Sequence, residues 1–156
     1  MHFSAKEDIE APIEVVFAQV TDFDALERAA LRRGADVQRT DSLRKAAVGM
    51  GWSASFTARG RKRQLEIRLT EFDPPHAMLF HSVAQGLESE LKIELVALSR
   101  GRTRLSIKLD LKPRTISARL LVQSLKLART NLNKKFHLRM ADYARELEER
   151  AKRSNA

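Results

Sequence analysis

The chain has 156 residues, which suits one domain with one substantial core. Apolar residues make up 43% and charged residues 31%, values that exclude a disordered, collagenous or disulfide-scaffold protein. Twenty-nine Lys and Arg against twenty Asp and Glu give a net charge of +9, which raises the question of an anionic partner.

Residues 1–10 carry Lys6, Glu7, Asp8 and Glu10 where a secretory leader places an apolar run, and no stretch approaches the ~20 apolar residues that cross a bilayer. Cysteine is absent, so disulfides, thiolate catalysis and Cys-type metal sites are excluded. The expectation is a soluble, cytoplasmic protein with no cofactor. It comprises one domain over 1–150 and a basic tail, 151–156.

Positions 2–10 alternate as a strand and stop at Ala11-Pro12. Proline then opens a helix in which Ile13, Val16, Phe17 and Val20 share one face. A second short helix follows, with Asp24 as its cap, Glu27 completing a capping box and Gly34 as its stop. From Ala35 to Lys112 the period is two, broken at Gly60-Arg61, Asp73-Pro74-Pro75, Gln85-Gly86 and Arg100-Gly101, which predicts an antiparallel meander of five or six strands.

A Gly60-Arg61 turn pairs Arg59 with Lys62 and sets Phe56, Ala54 and Trp52 opposite Leu65, Ile67 and Leu69. A three-residue loop from Ser99 to Gly101 pairs Leu95 with Leu105, Ile93 with Ile107 and Leu91 with Leu109. After Pro113 the period returns to 3.6 for over thirty residues. Leu121, Leu125, Leu132, Phe136, Met140, Tyr143 and Leu147 lie on one arc, which predicts a single long helix. The predicted fold is α+β, a curved antiparallel sheet wrapped around that helix, with two short helices after the first strand.

The run Ile9-Glu10-Ala11-Pro12-Ile13-Glu14-Val15-Val16-Phe17, followed by Val20-Thr21-Asp22-Phe23, resembles the opening of the START-like helix-grip (SRPBCC) superfamily. Its polyketide cyclase/dehydrase and lipid-transport branch is the nearest. Thr70-Glu71-Phe72-Asp73-Pro74-Pro75, Gly101-Arg102-Thr103-Arg104-Leu105 and the long last helix echo it too. The resemblance implies a cavity between sheet and helix that holds a lipid-like, isoprenoid or polyketide-like molecule. It leaves open a cyclase or dehydrase acting in the same pocket.

On the registers above, Trp52, Phe56, Leu69, Leu91, Ile107, Phe136 and Met140 point at that space, with Met50 beside them between Gly49 and Gly51. The same residues also serve as plain core. His81 has two readings. With Ala84 to Gly86 as a three-residue loop it faces inward opposite Ser89, placed to orient a ligand oxygen or act as acid or base. With Gln85-Gly86 as a two-residue loop, Met78 and Phe80 turn inward and His81 faces water. Simple alternation carries Glu71 to the inner face opposite Met50 near the strand end, either at a cavity mouth or at a solvated rim position. No metal motif, phosphate loop, dinucleotide fingerprint or nucleophile elbow is present.

The charge is uneven: residues 1–41 sum to −4 and residues 42–156 to +13. Lys112 to Arg139 holds eight Lys or Arg and no acid, and Arg59, Arg61, Lys62 and Arg63 crowd a hairpin tip. Arg129 and Arg139 sit at the edges of the apolar arc, within reach of an acidic ligand group. Ile116, Leu120, Leu127 and Leu138 form a second apolar set among these cations. It reads as a solvated basic face with a few exposed leucines, or else as a contact for a second copy of the chain, an anionic membrane or a ribosome; for direct nucleic-acid binding stacking aromatics are scarce.

Overall fold

The period-two stretch forms six antiparallel strands, and the N-terminal strand closes the sheet beside the last of them. The computed structural model describes residues 1–58 and 60–154. Its elements are β1 (His2–Ile9), α1 (Ile13–Val20), α2 (Phe23–Arg32), β2 (Asp36–Arg39), β3 (Gly51–Ala58), β4 (Arg61–Asp73), β5 (Ala77–Ala84), β6 (Leu87–Ser99), β7 (Arg102–Pro113), α3 (Ile116–Leu127) and α4 (Arg129–Ser154). The strand order is β1-β7-β6-β5-β4-β3-β2. This is the expected α+β helix-grip architecture. Among the described residues no helix is long and apolar enough to cross a membrane.

Pro12 stands just before α1, as its fixed φ and missing N–H favour. The cap of α2 is Asp22, whose Oδ1 accepts from Ala25 N at 3.2 Å, rather than Asp24. Phe23 therefore starts the helix and is buried in the core, and Glu27 is released from the capping role for a bond described below.

The β6–β7 register is the expected one, with Leu91, Ile93 and Leu95 opposite Leu109, Ile107 and Leu105. The β3–β4 register is shifted by two: Ala58 pairs with Arg61, so Phe56, Ala54 and Trp52 face Arg63, Leu65 and Ile67. Gly60, at φ +74°, immediately precedes Arg61, leaving Arg61 to open the strand. Arg59 lies outside the described residues. A shift of two changes partners but keeps every side chain on its face.

The β5–β6 turn decides the direction of His81. Ala84 pairs with Leu87, and Gln85 and Gly86 have φ of +47° and +79°, a two-residue turn with both central residues left-handed. Met78, Phe80 and Ser82 point inward, and His81 points outward. In β4 a bulge between Leu69 and Glu71 breaks simple alternation, so Leu69 is fully buried while Glu71 is exposed.

The long C-terminal helix is interrupted. Ala128, at φ −100° and ψ 16°, separates α3 from α4. No proline or glycine marks the break, and the apolar arc keeps its phase across it. The interruption lets α3 lie against β7 while α4 runs along β1. The helix α4 continues past position 150 to Ser154, and Ala151 packs in the core.

The tightest packing gathers Ile9, Val16, Val20, Leu69, Met78, Leu105 and Leu147. Thr103, fully buried, donates its hydroxyl to Ala11 O at 2.8 Å and so fixes the bend after β1. At the opposite end of the sheet, Arg114 N donates to Gly86 O at 2.8 Å, and Thr115 Oγ1 caps α3 by accepting from Ala118 N. A Cβ on Gly86 would lie 2.5 Å from the Thr115 side chain, whereas one on Gly34, at φ +93°, meets nothing within 4 Å.

This contrast gives a test of the joint between hairpin and helix. Gly34→Ala should cost about 1 kcal/mol for its left-handed backbone. Gly86→Ala should cost about 2 kcal/mol or more, because Thr115 must also move. Urea midpoints at equal slope measure both, and equal losses would refute the contact.

Candidate functional site

The inner face of the curved sheet is unevenly packed. Where α1, α2 and the C-terminal half of α4 cover it, Met50, Trp52, Leu69, Met78, Leu95, Leu105 and Ile107 are buried, none more than 5% exposed. Toward the β5–β6 turn the inward residues are only half-buried: Phe56, Leu65, Ile67, Leu91, Leu109 and Leu111. The facing helices match this, with Leu121, Leu125, Leu132, Phe136 and Met140 also half-buried. In a filled interior such side chains lie close to zero exposure. Here they form an apolar floor and wall that still meet solvent.

One polar spot interrupts that floor. Ser82 and Ser89 pair across β5 and β6, and their hydroxyl oxygens share a short hydrogen bond. Each strand neighbour on the same row is apolar, Leu111 beyond Ser89 and Ile67 beyond Ser82. One hydroxyl spends its proton on the other, so the pair retains one proton and free lone pairs for a further partner. At the mouth, Arg63 lies opposite Phe56 with inward strand parity, half-buried, and its Nη1 donates to Gln85 Oε1 at 3.0 Å.

A second polar network borders Trp52 on the β2 side. Trp52 Nε1 donates to Glu27 Oε1 at 2.9 Å, and the Arg39 guanidinium lies 5.8 Å from the indole centroid. Arg39 Nε donates to Asp41 at 2.9 Å, and Asp41 also accepts from Gly51 N at 2.8 Å and Leu43 N at 2.9 Å. The Arg39 bond, followed by the two backbone N–H groups, holds the Asp41 carboxyl far below the usual carboxylate range. This network ties the start of β3 to the segment after β2. Gly51 belongs to it, since a Cβ there would lie 2.6 Å from Thr40 Oγ1.

The residues singled out by sequence divide into three groups. Phe56, Ser89, Leu91, Phe136 and Met140 line the half-open part of the inner face. Met50, Trp52, Leu69 and Ile107 are built into its packed end. His81 and Arg129 lie outside it. The Gln85-Gly86 turn puts His81 on the outer face, with Nε2 3.7 Å from the Glu88 carboxylate. Glu88 is itself held low by Arg114 first and His81 second. An acid or base role for His81 inside the fold is thereby removed. Arg129 opens α4 at the surface and is exposed; Arg39, Arg61 and Arg63 share inner-face parity, and of these Arg63 is the half-buried one beside the β5–β6 turn.

Sequence reasoning missed Ser82, Arg63, and the Glu27, Arg39 and Asp41 network. Ser82 was implicit in the two-residue turn. The two-residue spacing of Arg39 and Asp41 carries no recognisable signature. Two surface depressions lie away from this face: one of about 500 Å3 beside Ile13, Glu14, Ala97, Ser99 and Arg100, and one of about 220 Å3 beside Ser4, Lys6, Lys108 and His137. Among the described residues no three His, Asp or Glu side chains gather as a metal site.

No protein-family model and no curated protein matches the chain. Solved structures do match. The protein TTHA0849 of Thermus thermophilus superposes with a TM-score of 0.67 at 17% identity, over 100% of both chains. The ZhuI aromatase/cyclase of Streptomyces sp. R1128 gives 0.64 at 14%, over 100% of this chain and 96% of the other. A START superfamily protein of Mycobacterium smegmatis gives 0.55 at 12%, over 86% and 95%. The chain thus has the START-like helix-grip fold that its opening motif resembles.

Tyr143, the only tyrosine, reports on the packed side of α4. Burial pushes its hydroxyl up to about 12, with Arg150 opposing and Glu146 adding to the shift. A phenol that keeps its proton longer when folded stabilises the protein fully below pH ~10, and that contribution is lost as pH rises toward 12. Phenolate absorbance of the native protein should therefore show a single midpoint near 12. A midpoint near 10 would mean that α4 is not seated on the sheet as described.

Proposed function

We propose that the protein binds a small hydrophobic molecule with an acidic or oxygen-bearing end, held on the inner face of the sheet beneath α3 and α4. The observation that carries this reading is the incompletely buried apolar floor of Phe56, Leu65, Ile67, Leu91, Leu109 and Leu111, with the Ser82–Ser89 pair set in it. An apolar concavity with one or two convergent polar groups is the usual form of a small-molecule site. The fold agrees with the opening motif's resemblance, which implies the same class of ligand. The hydrocarbon part gains by covering the incompletely buried leucines, about 25 cal/mol per Å2 of apolar area removed from water. The serine pair offers a hydroxyl to a carbonyl or alcohol, and Arg63 offers its guanidinium to a carboxylate at the mouth.

Native mass spectrometry of gently purified protein, followed by a thermal-shift screen of fatty acids, isoprenoids and polyketides, tests the reading. A saturable ligand should be found. For a fatty acid, Arg63→Gln should weaken binding about tenfold, the worth of a partly exposed charged hydrogen bond, and leave the matching methyl ester unaffected. Ser82→Ala with Ser89→Ala should weaken both acid and ester by about fivefold, and His81→Ala should change neither. No saturable ligand, or equal losses for acid and ester in Arg63→Gln, would contradict the proposal.

A further inference from the structure

The helix α3 is apolar on two opposite sides. Ala118 and Val122 are buried against β7. At 100° per residue, Ile116, Leu120 and Leu127 fall within an arc of about 40° on the other side, and they are 77%, 63% and 92% exposed. Leu138, near the middle of α4, is 66% exposed. Isolated exposed leucines need no explanation, but three in one stripe on one helix do.

The charge around this stripe has one sign. Pro113 to Arg139 contains no acidic residue. Among the described residues, Arg119, Lys126, Arg129, Lys134, Lys135 and Arg139 make no ion pair. The second basic cluster lies at the same end of the molecule. Arg63 bonds Gln85, which joins the β3–β4 tip to the β5–β6 tip, and Gly86 accepts from Arg114 N, which joins that tip to the start of α3. Arg61 and Lys62 therefore share an end with the exposed stripe and with the half-open part of the inner face.

We infer that this end of the protein docks on an anionic lipid bilayer. Ile116, Leu120 and Leu127 enter the interface, and Arg61, Lys62, Arg119 and Lys126 meet lipid headgroups. A second copy of the chain would bring the same cations face to face, which opposes a dimer through this stripe. Nucleic acid would use the cations but leave three aliphatic side chains in water, with no aromatic platform beside them. An anionic bilayer accepts both. Docking also sets the opening of the inner face against the membrane, a route for an apolar ligand that avoids water. That last step rests on the proposed ligand site; the docking does not.

Flotation of the full chain with vesicles tests it. Vesicles of 30% phosphatidylglycerol in phosphatidylcholine should bind the protein, pure phosphatidylcholine should not, and raising the salt should release it. Arg119→Gln and Lys126→Gln should each weaken binding about fivefold. Ile116→Asp with Leu127→Asp should abolish it with thermal unfolding unchanged, since both side chains are exposed. Equal binding to neutral vesicles, no binding to anionic ones, or unchanged binding in either set of variants would overturn the inference. A dimer that the Asp variants dissociate, without vesicle binding, would overturn it in favour of a second copy. Lost vesicle binding with intact ligand binding would sink docking alone, and the reverse result would leave docking standing while the ligand site falls.

Discussion

The two-residue turn at Gln85-Gly86 governs three features at once. Its left-handed residues set the β5–β6 register, which turns Met78, Phe80 and Ser82 inward and sends His81 to the surface. Its glycine leaves room for Thr115, so the hairpin tip and the start of α3 close together. Its Gln85 side chain receives Arg63 and brings the β3–β4 tip alongside. A turn longer by one residue would reverse the face of every β5 side chain: His81 would enter the apolar floor, and Met78, one of the most buried residues in the core, would leave it. A fully buried methionine is worth roughly 1.5–3 kcal/mol, and an inward imidazole would have only the Ser89 hydroxyl as a partner on an otherwise apolar floor.

Packing explains why one half of the inner face is fully buried and the other only half-buried. Three elements converge on the closed half: α1, α2 and the C-terminal half of α4, which brings Ala144, Leu147 and Ala151 down to it. The open half has only α3 and the start of α4 above it, and the break at Ala128 divides even these. The polar groups follow the same division. Tyr143 is desolvated on the closed side, whereas the serine pair and Arg63 lie on the open side, where a partner can still reach them.

Much of the fold was legible in the sequence because alternation at periods of 2 and 3.6 reports directly on which face is covered. The meander, the two short helices, the β6–β7 register and the exposed leucines all followed from it. What remained hidden depended on single backbone choices. The bulge after Leu69 moved Glu71 outward, the β3–β4 turn shifted partners by two, and the break at Ala128 left no mark because the apolar arc stays in phase through it. The candidate site was legible only in part. Leu91, Phe56, Phe136, Met140 and Ser89 lie on the half-open face, while His81 and Arg129 gave way to Ser82 and Arg63. Those roles depend on turn geometry and on which cation the sheet carries to its mouth.

The central claim is that the inner face near the serine pair is open to a small molecule. The chain has no cysteine, so Ser89→Cys introduces a single thiol at that spot and changes little else. A small uncharged thiol reagent should label it in the native protein within about a hundredfold of the rate for a free thiol, and a bound apolar ligand should slow the reaction. A thiol that reacts only when the protein unfolds would show that side chains fill the space and would contradict the account.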